Sequence, residues 1–328
     1  MRYAEPMKAA LLVVVALAAA AAVGQQPAPS AAGKGVEMVV TALPSQPAIS
    51  ASQVAVRQGR DTDRVLGWQP CAGDNAALEL AIVIDDDTHG LHAAFDDLKS
   101  FVNGLPPTTS VAIVYLHTGT IGIEQILTTD HAAAVQHMRL PNGGDNASPS
   151  PYGSLQVLLS RWGRHPGRRR EMILLSDGEE HNGGNNANNI TFKEAVAAAV
   201  RDGVVVYPIF VSGAPANSMD SQDQGTPMGK GGNKFAALNS SAIQRDNGLL
   251  NLSFLARTTG GEAYSDGNAT PPRLQGYLEQ INQRLNAQYT LTYAPSAPKN
   301  NGLNDIKVEV KDSKAKISAP DQVYLVKP

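Results

Sequence analysis

Residues 78–87 read Leu-Glu-Leu-Ala-Ile-Val-Ile-Asp-Asp-Asp, a nearly continuous apolar run of strand length that ends in three carboxylates. A strand that is apolar on both faces is buried on both faces, which is typical of a parallel sheet covered by helices. Residues 171–178 read Glu-Met-Ile-Leu-Leu-Ser-Asp-Gly and follow the same plan, with an aspartate close behind the apolar run. The two segments predict two central strands of such a sheet.

Helical and strand patterns alternate along the chain around these two segments. Residues 91–102 carry apolar side chains at helical spacing and end at Asn103-Gly104, a helix stop signal. Residues 110–115 and 120–127 predict two strands joined as a hairpin. The remaining predicted elements are helices over 132–138, 152–162, 192–201, 249–258 and 274–285, and strands over 204–211 and 262–264. The alternation predicts an α/β fold with a doubly wound, mostly parallel, Rossmann-like sheet and right-handed crossovers.

The N-terminus has the layout of a secretory signal. Arg2 and Lys8 precede an apolar run over residues 9–23, and small residues lead up to Gly24. We therefore expect residues 1–24 to be a signal peptide, and the remaining chain to be exported, periplasmic or secreted, with no membrane span after cleavage. An uncleaved anchor is the alternative, although the run is short for a bilayer span.

The region between the signal and the α/β pattern is harder to interpret. Residues 25–75 predict a linker and N-terminal extension, with a short strand near 36–43 and no clear pattern over 51–75. The α/β domain is expected over residues 76–295. Within it, residues 212–233 form a Gly- and Ser-rich stretch that is too long for a simple connection.

The C-terminal part changes to β-type alternation. It predicts a small antiparallel β appendage, with a C-terminal extension over residues 296–328. The alternating segments are 287–293, 305–310 and 323–326.

Composition excludes some classes of function. The chain has 328 residues and a formal net charge of −3, which argues against a nucleic-acid partner, since such proteins usually carry a strongly basic face. Cys71 is the only cysteine, so the chain forms no internal disulfide, and a small buried residue is the expected role.

Polar residues follow the central strands at the place where ligands collect in this fold class. In an open α/β sheet that place is the crevice beyond the carboxyl ends of the strands. One strand is followed by Asp85–His89 and another by Ser176–Gly178, while residues 147–152 (Ala-Ser-Pro-Ser-Pro-Tyr) offer hydroxyls before a helix. We expect these three segments to meet at one edge.

The motifs together resemble the von Willebrand factor A family and, more narrowly, the A-type domains common in acidobacterial exported proteins. The resemblance covers roughly residues 75–295 and depends on the order and spacing of its pieces. The pieces are Ile84-Asp85, residues 171–179, residues 258–264 (Thr-Thr-Gly-Gly-Glu-Ala-Tyr) and residues 288–293 (Gln-Tyr-Thr-Leu-Thr-Tyr).

The resemblance implies a metal-ion-dependent adhesion site. Members of the family often carry an Asp-x-Ser-x-Ser run, a Thr from a middle loop and a later Asp, whose oxygens bind Mg²⁺ while the partner supplies a carboxylate. Asp85 and Asp177 match the two acidic positions, Asp87 and His89 stand where the serines belong, and Ser150, or Ser148, takes the place of the threonine. The predicted metal-site residues are Asp85, Asp87, His89, Ser150 and Asp177.

The departures from the family pattern leave the choice of ion open. Asp87 adds a negative charge, and His89 shifts preference away from Mg²⁺ towards Mn²⁺ or Zn²⁺. A zinc site built from Asp87 with His89, His92 or His181 is a less favoured alternative. A metal-free site is the other alternative, with Asp85 and Asp177 capping the turns and helices that follow them.

No enzyme signature supports catalysis. The chain lacks a Gly-x-Ser-x-Gly elbow, a phosphate-binding Gly-x-x-x-x-Gly-Lys-Ser/Thr loop and a His-Glu-x-x-His motif. The leading prediction is a non-enzymatic binding or adhesion module that recognises a protein or cell-envelope partner at this degenerate site. The alternatives are a metal-free structural or assembly protein of the envelope and, less favoured, a metal-dependent hydrolase.

Overall fold

The structure is a computed structural model. It describes residues 35–43, 48–117, 119–142, 150–180, 190–212, 234–267, 271, 273–298, 300–311 and 314–327, without the side chains of residues 93 and 234–244. The predicted signal peptide, Ser148, His181 and nearly all of the 212–233 stretch lie outside the described residues.

Thirteen strands and six helices are described. The strands are β1 (Val36–Leu43), β2 (Val54–Gln58), β3 (Asp61–Pro70), β4 (Leu78–Asp85), β5 (Thr109–His117), β6 (Thr120–Thr128), β7 (Arg169–Ser176), β8 (Val204–Phe210), β9 (Gln288–Ala294), β10 (Gly302–Asp305), β11 (Lys307–Val310), β12 (Lys316–Ser318) and β13 (Gln322–Leu325). The helices are α1 (His92–Asn103), α2 (His131–Gln136), α3 (Pro151–Arg161), α4 (Ile190–Asp202), α5 (Lys234–Thr259) and α6 (Gln275–Leu285).

A five-stranded sheet forms the centre of the α/β unit. Its strand order is β6-β5-β4-β7-β8, in which β6 is antiparallel and the other four strands are parallel. Every residue of β4 and all but the first of β7 are buried, as their apolar sequences predict. From β4 the chain moves to one side of the sheet, through α1 to β5 and then to the hairpin strand β6, and it returns through α2 and α3 to β7 on the other side of β4. The strand order therefore reverses at β4, which puts a crevice at its carboxyl end.

Helices cover both faces of this sheet. On one face, Leu98 of α1 and Ile281 of α6 pack with β4 and β5 side chains. On the other face, Leu155 of α3, Val196 of α4 and Leu255 of α5 pack with side chains of the same strands. The predicted doubly wound α/β class, with a mostly parallel sheet, is confirmed.

A second, antiparallel β structure draws on both ends of the described chain. Its six-stranded sheet has the order β11-β2-β3-β9-β1-β12, and β10 and β13 pair beside it. The predicted β appendage is present, and strands β1 to β3 from the N-terminal side complete it. Residues 51–75 supply β2 and β3. Their sequence showed no clear pattern because these strands are only half-buried and alternate weakly.

Buried polar contacts join the two sheets. The Gln288 Nε2 atom at the start of β9 donates to the Glu171 Oε2 atom of β7 at 2.9 Å and to the Tyr207 Oη atom of β8 at 3.0 Å. Cys71, half-buried, places its Sγ atom 3.5 Å from Thr290 Oγ1 in the same region. Among the described residues, no helix has the length and apolar character needed to cross a bilayer.

Candidate functional site

Three of the predicted site residues lie buried at the carboxyl edge of the five-stranded sheet. Asp85 is the last residue of β4, Asp177 directly follows β7, and Ser150 directly precedes α3. Their exposed fractions are 6%, 4% and 5%. The parallel pairing of β4 with β7 brings the two aspartates to the same edge, as their position after buried strands predicted.

Asp85 is a buried carboxyl group beside a second carboxylate. Its Oδ2 atom accepts a hydrogen bond from Ser176 Oγ at 2.8 Å, and its Oδ1 atom accepts one from the Asp87 backbone N–H at 3.3 Å. Burial raises the pKa of Asp85 from 3.8 to about 7, and the negative charge of Asp177 raises it as well. The folded protein therefore disfavours a negative charge at Asp85 unless a positive charge offsets it.

Ser150 holds the N-terminus of α3 and contacts an acidic residue that is not among the five predicted metal-site residues. The Tyr152 backbone N–H donates to Ser150 Oγ at 3.1 Å, which is an N-cap hydrogen bond. The Ser150 hydroxyl in turn donates to the Glu180 carboxylate, and both side chains are buried. Glu180 follows Asp177 by three residues, and that proximity in the chain was the only sequence signal for it.

The turn after β7 has a fixed shape. Gly178 has a φ of 66°, and an added Cβ atom would lie 2.6 Å from the Gly248 carbonyl oxygen, so a side chain is excluded here. The Gly178 carbonyl accepts hydrogen bonds from Tyr152 Oη at 3.0 Å and from Asn251 Nδ2 at 3.1 Å. Helices α3 and α5 therefore hold the turn that carries Asp177.

The acidic groups also act on Tyr152. Burial raises its pKa well above the ordinary value, and the charges of Asp177, Glu180 and Asp85 raise it further. The phenol stays protonated and donates to the Gly178 carbonyl. All three carboxylates are therefore close enough to Tyr152, near the N-terminal end of α3, to affect its pKa.

Asp87 and His89 lie along the connection from β4 to α1. Both are half-buried, and the His89 backbone N–H donates to the Ser212 carbonyl at 3.0 Å. Within the described part of the chain, no three His, Cys, Asp or Glu side chains form a group that could hold a metal ion. The structure thus brings Asp85, Ser150 and Asp177 to the edge, while the full set of five ligands stays a prediction.

The donor atoms at the edge fit a hard cation. Asp85, Asp177 and Ser150 offer carboxylate and hydroxyl oxygens, which suit Mg²⁺ and Mn²⁺. The raised pKa of Asp85 supplies a reason for a cation to bind, since a positive charge between the aspartates would stabilise both in the ionised form. Of the residues in the zinc alternative, His92 is exposed at the first position of α1, and His181 is outside the described residues.

Comparisons with known proteins found similar solved structures and no sequence relative. No protein-family model and no curated protein sequence matches the chain. A von Willebrand factor type A structure from Catenulispora acidiphila is similar over 90% of this chain and 74% of that one, with 9% identity and a TM-score of 0.43. An aerotolerance-related membrane protein from Bacteroides fragilis covers 64% of this chain and 99% of its own, with 16% identity and a TM-score of 0.41.

A third structure, the conserved hypothetical protein BatB from Bacteroides thetaiotaomicron, shows 14% identity with a TM-score of 0.41, over 64% of this chain and 98% of that one. The narrower resemblance to acidobacterial proteins stays a prediction. With its central parallel strands, its antiparallel edge strand and helices on both faces, the α/β unit of this chain has a doubly wound α/β fold that is similar to von Willebrand factor A-type domains.

Proposed function

We propose that this protein is an exported, non-enzymatic binding module. It captures a protein or cell-envelope partner at the edge formed by Asp85, Ser150 and Asp177, with a divalent cation as part of that site. The observation that carries the proposal is the pair of buried aspartates at the crevice of the sheet, where burial and the charge of Asp177 raise the pKa of Asp85 to about 7. Two such charges in a buried crevice favour a cationic ligand.

In this proposal, Asp85 and Asp177 hold the cation, and Ser150 supplies a hydroxyl oxygen. The bound cation would attract a carboxylate or another oxygen donor of the partner. The residues around it keep the ligands in place, because Ser176 orients Asp85 and the bonds to the Gly178 carbonyl orient the turn that carries Asp177. Mg²⁺ or Mn²⁺ is favoured over Zn²⁺, which prefers nitrogen and sulfur ligands.

A metal-free envelope or assembly protein is the second candidate, and one observation favours it. Asp85 and Ser150 already have hydrogen-bond partners within the protein, namely Ser176 and Glu180. Buried polar groups that are satisfied internally can serve packing alone. Under this candidate, Asp85 keeps its proton and the edge takes no cation.

The first experiment measures metal content and thermal stability of the purified protein in Mg²⁺, Mn²⁺, Zn²⁺ and chelator. A ligand present at a hundred times its dissociation constant stabilises the folded state by about 2.7 kcal/mol. We expect Mn²⁺ or Mg²⁺ to raise the melting temperature, and Asp85→Asn and Asp177→Asn each to abolish that rise. Asp96→Asn is the matched control, because Asp96 is an exposed aspartate on α1 and should leave the rise unchanged.

The outcomes separate the candidates. A protein without metal, whose melting temperature is the same in cation and in chelator, would reject the cation site and leave the metal-free candidate. Partner capture that is lost in Asp85→Asn and kept in Asp96→Asn would support this edge as the interface. Hydrolysis of a phosphate or acyl ester that chelator stops would instead support the hydrolase alternative.

Export has its own test. Fractionation of the producing cells, with N-terminal sequencing of the exported form, should find a chain that begins at Gln25. A full-length chain retained in the cytoplasm would contradict export without bearing on the cation site.

A further inference from the structure

Two consecutive buried carboxylates at the end of β4 have partners on opposite sides. Asp85 contacts Ser176, at the end of β7. Asp86 contacts residues of β5 and of the segment after α2, which lie on the other side of β4. Only the first of the two takes part in the candidate site.

Asp86 is surrounded by donors. Its Oδ1 atom accepts from Arg139 Nη1 at 2.6 Å and from the Asn142 backbone N–H at 3.0 Å. Its Oδ2 atom accepts from Arg139 Nη2 at 3.1 Å and from Asn142 Nδ2 at 2.9 Å, and His117 Nδ1 lies 3.1 Å away. Since a carboxylate has about four acceptor positions, these bonds fill Asp86. Burial alone would raise its pKa, but the bonds from Arg139 and Asn142 hold the pKa below the usual value.

Arg139 is itself held from several directions. Its guanidinium carbon lies 3.9 Å from the centroid of the Tyr115 ring, and its Nε atom lies 3.6 Å from the Glu124 carboxylate. Its backbone N–H donates to Tyr115 Oη at 2.8 Å, and that hydroxyl donates to the Arg139 carbonyl. The planar guanidinium group of Arg139 therefore meets the Asp86 carboxylate in one orientation. This geometry favours pairing through two parallel hydrogen bonds.

We propose that Asp86 is the positioning residue of the candidate site, and that Arg139 works through it. The pair fixes the backbone between Asp85 and Asp87, together with the hydrogen bond of 3.1 Å from the Asp86 N–H to the Leu116 carbonyl. With Asp86 held towards β5, the preceding side chain turns towards β7 and reaches Ser176 beside Asp177. The inference depends on the proposed function only for what Asp85 then binds.

The test uses variants that separate geometry from charge. Arg139→Lys keeps the positive charge but loses the planar guanidinium group with its two parallel donors. If Arg139 acted only through its charge, this variant would have no effect. Asp86→Asn keeps the shape and loses the charge. The control is Arg273→Lys, because Arg273 forms an equivalent two-bond pair with Asp97 of α1, with N–O distances of 3.0 and 2.7 Å.

Two readouts are measured on the full chain well below its melting temperature. They are Mn²⁺ affinity by calorimetry and amide hydrogen exchange of Asp87 and Thr88. We expect Arg139→Lys and Asp86→Asn to weaken Mn²⁺ binding at least tenfold and to speed exchange of both amides at least tenfold. Arg273→Lys should change neither readout.

The results separate the two proposals. Wild-type affinity and wild-type exchange in Arg139→Lys would overturn the positioning role, whatever Asp86→Asn does. A wild-type protein that binds no Mn²⁺ would contradict the proposed cation site. In that case the amide exchange of Asp87 and Thr88 alone tests the positioning role. Exchange in Arg139→Lys that is as slow as in the wild-type protein would overturn that role.

Discussion

At the scale of single residues, two buried acids have pKa values above their ordinary range. Asp85 has its pKa raised by burial and by Asp177, and Glu171 has its pKa raised by burial in the middle of β7. The two acids differ in whether a positive charge lies beside the carboxylate. Glu171 has the guanidinium of Arg169 at 3.0 Å, whereas the largest effect of a neighbouring charge on the pKa of Asp85 comes from another carboxylate, Asp177.

Asp85 should make stability fall with pH in chelator. Its pKa is about 7 in the folded protein and near 3.8 in the unfolded chain, so the folded state binds more protons between these values. The contribution of Asp85 to stability is therefore highest below about pH 4 and falls as the pH rises to about 7. The fall due to Asp85 should be about 3–4 kcal/mol, because a tenfold change in an equilibrium constant is about 1.4 kcal/mol.

Asp85→Asn should remove this fall, because the amide stays neutral. Urea unfolding at pH 4 and pH 8 in chelator measures the difference, with Asp96→Asn as the control that keeps the wild-type slope. A wild-type protein and an Asp85→Asn variant with equal pH dependence would show that Asp85 is ionised in the folded state without cost.

Glu171→Ala should destabilise the protein by about 3–5 kcal/mol, since it leaves a buried charge without its partner. The orphaned group is Arg169, whose side chain is 9% exposed, and Gln288 also loses an acceptor. Glu194→Ala, on the exposed side of α4, should cost under about 0.5 kcal/mol. Chemical denaturation of both variants measures the difference, and equal losses would argue against a buried ion pair here.

The candidate site was only partly predictable at this scale. Asp85 and Asp177 follow buried apolar strands, so their meeting at one edge was a consequence of the parallel sheet. Glu180 and Asp86 carried no comparable signal. Their roles depend on Ser150 and Arg139, which lie 30 and 53 residues away along the chain.

At the scale of elements, the elements that bury their side chains were the easiest to predict. Strands β4, β7 and β8 are apolar on both faces and appear where the sequence placed them. Helix α5 begins at Lys234, whereas the prediction began at residue 249. Strand β6 lies at the sheet edge and pairs with β5 with two shifts of register.

The contact between the end of α5 and β8 should tolerate no side chain at Gly261. An added Cβ atom would lie 1.9 Å from the Val206 carbonyl oxygen, so the backbone of one element must move. Gly261→Ala should therefore lower the free energy of unfolding by about 3 kcal/mol, at the upper end of typical overpacking costs.

Gly276→Ala provides the matched control for this prediction. Gly276 lies in α6 with nothing within 4 Å of an added Cβ atom, so alanine should be neutral or stabilise by about 0.5 kcal/mol. Thermal unfolding of the two variants compares them directly. Similar melting temperatures would mean that the close approach of Gly261 to β8 is absent in solution.

At the scale of the whole molecule, the α/β unit lies between two parts of one β structure. The chain passes through β1 to β3, forms the α/β unit, and returns to the same sheet at β9. Besides the Gln288 contacts, Ser318 Oγ donates to the Gly260 carbonyl at 3.0 Å. The Gln288 contacts and the Ser318–Gly260 hydrogen bond thus connect the β structure to the α/β unit at two separate places.

The two structures should unfold in one transition, and the two tryptophans report on them separately. Trp68 stacks on Tyr289 in the β structure at a centroid distance of 4.4 Å, and Trp162 donates to Glu79 in the α/β unit at 3.1 Å. Fluorescence of Trp162→Phe follows the first, and that of Trp68→Phe follows the second. We expect equal midpoints in guanidinium, after correction for each variant's stability, because coincident probes indicate two-state unfolding. Separate midpoints would show that the shared contacts do not couple the two structures.

The sequence by itself determined the α/β class, its central strands and the meeting of Asp85 with Asp177, because burial on both faces leaves a local apolar pattern that any reader can find. Only the tertiary structure decided three other features: the joining of residues 36–70 with the C-terminal strands, the pairing of Ser150 with Glu180, and the opposite orientations of Asp85 and Asp86. The physical reason is that half-buried strands and buried carboxylates take their structure from partners far away in the chain, and a local pattern does not specify those partners.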